Sequence, residues 1–280
     1  MKLKSILILS LCLLSTLSAC SAKKPSTSKT SSLSSSITSK ANAASSSIDS
    51  SKESIKEAVA AAANPVNLAD KSHSVYEGTL NGQKVLLDIY KSGNVLAASY
   101  INSNETEEHE MTGLILKGRI SLSAKGGSDK LTAISGSEDT LNVTYTSGSK
   151  KSESTFSLSH VTASDSATER YNGYDSKKVE SFAAEIKEYI KNGDKSSLSK
   201  LISYPIKVNI DGQQATINSS DKFIADYDSI VNDNFKDALE NTYTKFMFNN
   251  WQGILLGSGK YNFWFSQIKN GEMKITAINN

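Results

Sequence analysis

Side chains able to do chemistry are few in this chain and widely spaced. Its 280 residues include only two cysteines, Cys12 and Cys20, so neither a disulfide framework nor a Cys-based zinc site can be built from them. The three histidines are His73, His109 and His160. His109 stands among Glu105, Glu107, Glu108 and Glu110 in NETEEHE. On a strand, Glu108 and Glu110 point one way and His109 the other, so the group does not converge on a metal ion and reads as a solvated hairpin tip. DYDSIVNDN has the acidity of a calcium loop, but Ile230 and Val231 stand where a ligand and a glycine are needed. That stretch reads as helix surface. His160 falls on the strand face of Phe156 and Leu158, as a core or rim residue. The chain has no glycine-rich phosphate loop, nucleophile elbow or Cys/His array. Lys+Arg of 31 against Asp+Glu of 29 leaves a net charge of +2, without the concentrated basic face that nucleic acid requires.

Aromatic side chains are dense near the C-terminus, at Phe246, Phe248, Trp251, Tyr261, Phe263, Trp264 and Phe265. Along YNFWF, Tyr261, Phe263 and Phe265 share one strand face, and Asn262, Trp264 and Ser266 the other. One face must be core. The other is free to line a pocket or a partner-binding surface, which makes Trp251, Tyr261, Phe263, Trp264 and Phe265 the candidate binding residues.

Cys20 has the clearest assignment. Lys2 and Lys4 precede an apolar run from Ile6 to Leu14. That run is too short to span a bilayer, which takes about 20 apolar residues, and it has the form of a secretory signal. Leu17-Ser18-Ala19-Cys20 follows and resembles the bacterial lipobox. The resemblance implies cleavage between Ala19 and Cys20 and a diacylglycerol thioether on Cys20. An ordinary signal peptide with an incidental cysteine is the alternative. Cys12 lies in the removed segment. The expected location is therefore the outer side of a bacterial cell membrane, held by lipid, since stable anchoring takes two or more acyl chains.

The elements around these residues divide the chain into a signal peptide (1–19), a tether (20–71), an antiparallel β domain (72–163) and an α+β domain (174–280). The tether is Ser-rich, with too little apolar matter to bury. A short Ala-rich helix is expected at 51–63, from the capping-box spacing of Ser54 and Glu57 and the stop at Pro65. From residue 72, apolar and polar residues alternate. Val85, Leu87 and Ile89 face one way and Asp88 and Tyr90 the other, and Asn81-Gly82 is a two-residue hairpin signal. Seven or eight such strands with tight turns predict a meander closed into a small barrel or packed as a sandwich.

Near residue 165 the period changes. Val179, Phe182, Ala183, Ile186 and Ile190 fall on one helical stripe, with Asp175 or Ser176 as cap and Gly193 as stop. A second short helix carries Leu198, Leu201 and Ile202, halted at Tyr204-Pro205. IKVNID reads as a strand and SSDKFIADYDSIV as a third helix. KFMFNNWQGILLGSG, KYNFWFSQIK and MKITAIN read as closing antiparallel strands. This order, with YPIKVNIDG, DKFIADYDSI and NWQGILLGSG, resembles the nuclear-transport-factor-two-like fold, a cystatin-like α+β cone. The resemblance implies a curved antiparallel sheet with a concavity beneath its helices, and no catalytic motif. All three histidines precede this domain, so it holds no His-Asp dyad. Asp211, Asp226, Asp228, Asp233 and Asp237 read as turn or helix-surface residues. No cofactor or metal is implied. The expected function is non-catalytic: a binding or scaffold module of the cell envelope, possessing a membrane contact through Cys20 and an envelope-protein partner. The alternative is a small molecule or peptide held in the concave pocket, and a hydrolase or isomerase ranks last.

Overall fold

The computed structural model describes residues 64–280 except 104, 106, 172 and 211. Ala19, Cys20, the tether up to residue 63, the helix expected at 51–63 and Asp211 lie outside the described residues.

Alternation dictates the first half. β1 (Ser72–Leu80), β2 (Gln83–Ser92), β3 (Val95–Asn102), β4 (His109–Leu116), β5 (Arg119–Ala124), β6 (Lys130–Ser135), β7 (Thr140–Ser147) and β8 (Lys150–Ala163) form a closed antiparallel barrel in chain order. Closure leaves no sheet edge unpaired. Asn81 and Gly82 both take positive φ, 50° and 80°, as a two-residue hairpin turn demands. Val85, Leu87 and Ile89 point inward with Leu122, Leu131 and Phe156 to fill the barrel. Both ends are sealed. At one, Tyr145 donates to Asp129 (2.7 Å) and meets the Tyr100 hydroxyl (3.1 Å). At the other, the segment before β1 buries Val66 and Leu68, with the Val66 amide donating to the Gly118 carbonyl (3.0 Å). Entrance and exit of the barrel lie side by side: the Ser164 amide donates to the Lys71 carbonyl (2.9 Å).

The second half is helices on a mixed sheet. α1 (Ser176–Lys191), α2 (Lys195–Lys200), α3 (Ser220–Ile230) and α4 (Asp233–Glu240) are capped by Asp175, Asp194, Ser219 and Asn232, each side chain accepting an amide of the first turn. Such caps are worth about 1 kcal/mol each. The sheet runs β10 (Gln213–Ile217), β9 (Ile202–Ile210), β14 (Met273–Asn279), β13 (Tyr261–Gln267), β12 (Gly253–Ser258) and β11 (Asn249–Asn250). The apolar stripe of α1 packs on it, with Phe182 tilted against Phe265 at 5.3 Å, and Phe235 of α4 meets Phe263 at 4.9 Å. Each buried aromatic of this kind contributes roughly 1.5–3 kcal/mol.

Three expectations need correction. The sheet is not wholly antiparallel, because β14 pairs with β9 in parallel. Ile202 belongs to β9 rather than to the second helix, and β9 runs through Pro205. The strand tolerates that proline because it falls where the β9–β14 register shifts, and no ladder bond there needs its missing N–H. Finally, KFMFNNWQGILLGSG is not one strand. Its ladder breaks into β11 and β12 around a turn at Trp251-Gln252.

Candidate functional site

The outward face of β1–β3 has too many buried side chains for a solvated barrel wall. Val75, Leu86 and Ile101 pack against Phe246 and Tyr243 from the segment between α4 and β11. Beside this apolar cluster lies a buried set of charges. His73, 2 % exposed, faces both Asp88 carboxylate oxygens through Nδ1 (3.0 and 2.9 Å) and the Ser166 carbonyl through Nε2 (3.0 Å). Arg170 reaches Asp88 through Nε (3.0 Å), Glu108 (2.7 Å) and Ser99 (3.1 Å) through one terminal nitrogen, and Glu180 through the other (3.3 Å). Its guanidinium also lies 4.6 Å from the centre of the Phe246 ring. Lys245 bridges Glu108 (3.0 Å) and Glu180 (3.5 Å). Tyr171 donates to Glu180 (3.0 Å). Strands supply Asp88, Ser99 and the β3–β4 connection with Glu108; the interunit segment supplies Arg170 and Tyr171; α1 supplies Glu180.

The electrostatics follow from burial against charge. Burial raises the Glu108 carboxyl, but Arg170, Lys245 and the Ser99 hydroxyl outweigh it and hold Glu108 below the usual range. Burial prevails at Glu180, which is raised despite Arg170 and Lys245. Arg170 is driven upward by Asp88, Glu108 and Glu180 against the burial that opposes its charge. Two carboxylates with opposite shifts are a pattern found in acid–base pairs. Here both are neutralised by Arg170 and Lys245, and their side chains are 18 % and 10 % exposed, so the geometry serves cohesion. His73 and Asp88 do not make a nucleophilic triad either. The second ring nitrogen is engaged by a backbone carbonyl where a serine hydroxyl would have to be.

The five candidate binding residues are separated by the fold. Phe263 and Phe265 are fully buried in the second core. They fill the space under the helices where a concave pocket was expected, and neither belongs to a surface. Tyr261 packs edge-on against Phe235 at 5.9 Å and is partly exposed. Trp264 alternates to the other side of the sheet, between its cross-strand partners Leu255 and Ala277. There Phe248 meets it edge-on at 6.3 Å, and His160 of β8 meets Phe248 at 5.7 Å. Trp251 is 89 % exposed. Its turn is built firmly: the Gln252 amide donates to the Asn250 side chain (2.8 Å), and Gly253 takes φ 131°, where a Cβ would lie 2.5 Å from the Phe265 carbonyl oxygen.

Two other placements differ from the sequence reading. His160 does not share the face of Phe156 and Leu158. A bulge between Val75 and Tyr76 leaves Ser159 unpaired, so Leu158 pairs with inward Tyr76 while His160 pairs with outward Val75. Burial there lowers the His160 imidazole to about 4. NETEEHE is solvated only in part. Glu105 pairs with His109 (2.6 Å), and His109 stacks on Tyr100. Glu108 instead turns into the junction. Among the described residues, no set of three His, Cys, Asp or Glu side chains is arranged to hold a metal ion, and no helix is long and apolar enough to cross a membrane.

Sequence reasoning placed Asp88 on the outward barrel face but did not find the junction. The available signals were an acidic residue between apolar neighbours in VLLDIY and, 82 residues further on, an arginine in ATERY. Comparison with protein-family models, with curated proteins and with solved structures finds no match to this chain.

Proposed function

We propose that this chain is a lipid-anchored, outward-facing binding module of the bacterial cell envelope, without catalytic activity. In this reading its second half is a nuclear-transport-factor-two-like cone, and Cys20 carries the lipid. One observation carries the binding assignment: Trp251 is displayed almost wholly to solvent on a turn held by Asn250 and Gly253. A tryptophan in water costs hydrophobic free energy and is the side chain most often found at the centre of binding hot spots. The buried charge cluster supports the same reading, because it joins barrel and sheet into one body and lets a partner meet a preformed surface.

The test is affinity capture from the native envelope with the wild-type chain and with Trp251→Ala. A partner recovered by the wild type and lost by the variant, with the melting temperature unchanged, is the expected result. Equal recovery by both would remove Trp251 from the binding surface. The anchor is tested separately: Cys20→Ala protein should leave the membrane fraction, and its retention there would refute the lipid assignment.

A further inference from the structure

Leu114, Ser121, Thr132, Thr144 and Glu153 form one cross-strand row on the outer wall of the barrel, from β4 to β8. The row is polar except at its β4 end. There Leu114 faces Val95 of β3, and Leu116 follows two residues along the same strand face. Val95 is 60 % exposed, Leu114 41 % and Leu116 59 %. Single aliphatic side chains in water are ordinary, but a contiguous set rimmed by polar residues marks an interaction surface.

The described chain begins beside this corner. The Asn64 side chain donates to the Gly136 carbonyl just past β6 (3.4 Å), and the Val66 amide donates to the Gly118 carbonyl in the β4–β5 turn (3.0 Å). The Ile115 amide donates to the Asn94 carbonyl (3.1 Å), which brings the β2–β3 turn to the same rim.

Residues 51–63, outside the described ones, read SKESIKEAVAAAA. At helical spacing Ile55, Val59 and Ala62 share one stripe. A helix this short is marginal alone and needs an apolar seat. The dimensions agree with the barrel corner. Ile55 and Val59 would stand one turn, about 6 Å, apart, and Leu114 and Leu116 are about 7 Å apart along their strand. β4 lies two strands, about 10 Å, from β6, where Asn64 is held. The step from Val59 to Asn64 covers about 8 Å in a helix and up to about 17 Å extended.

We propose that segment 51–63 of this chain packs on the Val95, Leu114 and Leu116 corner, with Ile55 and Val59 against the two leucines. The spacer between Cys20 and the barrel then ends near residue 50. The seat involves neither Trp251 nor the lipid.

Hydrogen exchange read by mass spectrometry tests it, on the chain from residue 20 onward with Cys20→Ala, so that neither lipid nor detergent is present. Two comparison proteins carry Ile55→Asp with Val59→Asp, or Leu114→Thr with Leu116→Thr. The first leaves the barrel untouched, and the second puts a strand-forming polar residue on an already polar wall. Amides of residues 55–63 should exchange at least about ten-fold more slowly in the parent than in either variant. Unchanged exchange of the barrel amides shows that each variant is folded. Equal rates at 55–63 in the parent and a folded variant would overturn the proposal. So would slowing that appears only with phosphatidylglycerol vesicles, which assigns the corner to a membrane surface, or only as protein concentration rises, which assigns it to a second copy.

Discussion

Replacing Arg170 with alanine removes the one side chain that touches all three buried carboxylates of the junction. Asp88 would keep His73, and Glu108 and Glu180 would share the single ammonium of Lys245, beside the hydroxyls of Ser99 and Tyr171. Asp88 is 4 %, Glu180 10 % and Glu108 18 % exposed, so water cannot easily replace the guanidinium. Removing one partner of a buried ion pair costs about 3–5 kcal/mol, mostly because the other charge is stranded. For a unit of this size each kcal/mol lowers the melting temperature by about 2–4 °C, so a fall of roughly 6–20 °C is expected. Scanning calorimetry measures it, and the shape of the trace is a second signal. A joint held by this cluster gives one cooperative transition in the wild type and two in the variant, as barrel and sheet uncouple. Arg170→Met separates charge from packing, because it keeps a stem over Phe246. Adding Asp88→Asn and Glu108→Gln to Arg170→Met should recover part of the loss by removing stranded charge. A fall below about 1 kcal/mol for Arg170→Ala would refute the reasoning, since that is the scale of a solvated surface pair.

Two further perturbations probe the same architecture. Because burial lowers the folded His160 from 6.5 to about 4, neutral His160 contributes stability that is present above about pH 6.5 and lost as the pH falls through about 4. Partial exposure limits the contribution to about 1–2 kcal/mol. His160→Gln should therefore lose less stability than the wild type between those values, and parallel melting-temperature profiles would sink the assignment. Gly113 sits in β4 where a Cβ would come within 1.8 Å of the Ser121 carbonyl oxygen and 2.9 Å of the Leu122 Cα, both backbone. Gly113→Ala should cost about 2–3 kcal/mol in urea unfolding, and an unchanged midpoint would contradict the close approach of β4 and β5.

Local signals carried the fold well where they were repeated. Val85, Leu87 and Ile89 alternate cleanly, Asn81-Gly82 names its turn, and the α1 stripe repeats through four turns, so barrel and helices were legible. What failed were single-residue events. The Val75/Tyr76 bulge moves His160 to the other face, and no propensity marks it. Pro205 looked like a stop because its place at a register shift depends on the distant strand β14. Phe263 and Trp264 are equally apolar to a periodic reading, and only the packing of α1 and α4 decides which is core. The junction was hidden for a related reason. Glu108, Arg170 and Lys245 are far apart in the chain, and each alone reads as an ordinary surface charge.

The side-by-side entrance and exit of the barrel give the molecule a short mechanical path. A pull on the chain ahead of residue 64 is met first by Val66 and Leu68 in the barrel mouth. It then reaches the fork where Lys71 is joined to Ser164 by the backbone and to Asp165 by an ion pair at 3.0 Å. Two residues on, His73 grips the Ser166 carbonyl, and Arg170 follows. Load therefore crosses from the leading segment to the helices and sheet at this fork, and most of the barrel's circumference lies off the line of force. The weak point under tension is the β1–β8 seam, which would open from Ser72 and Ala163 inward, one pair at a time.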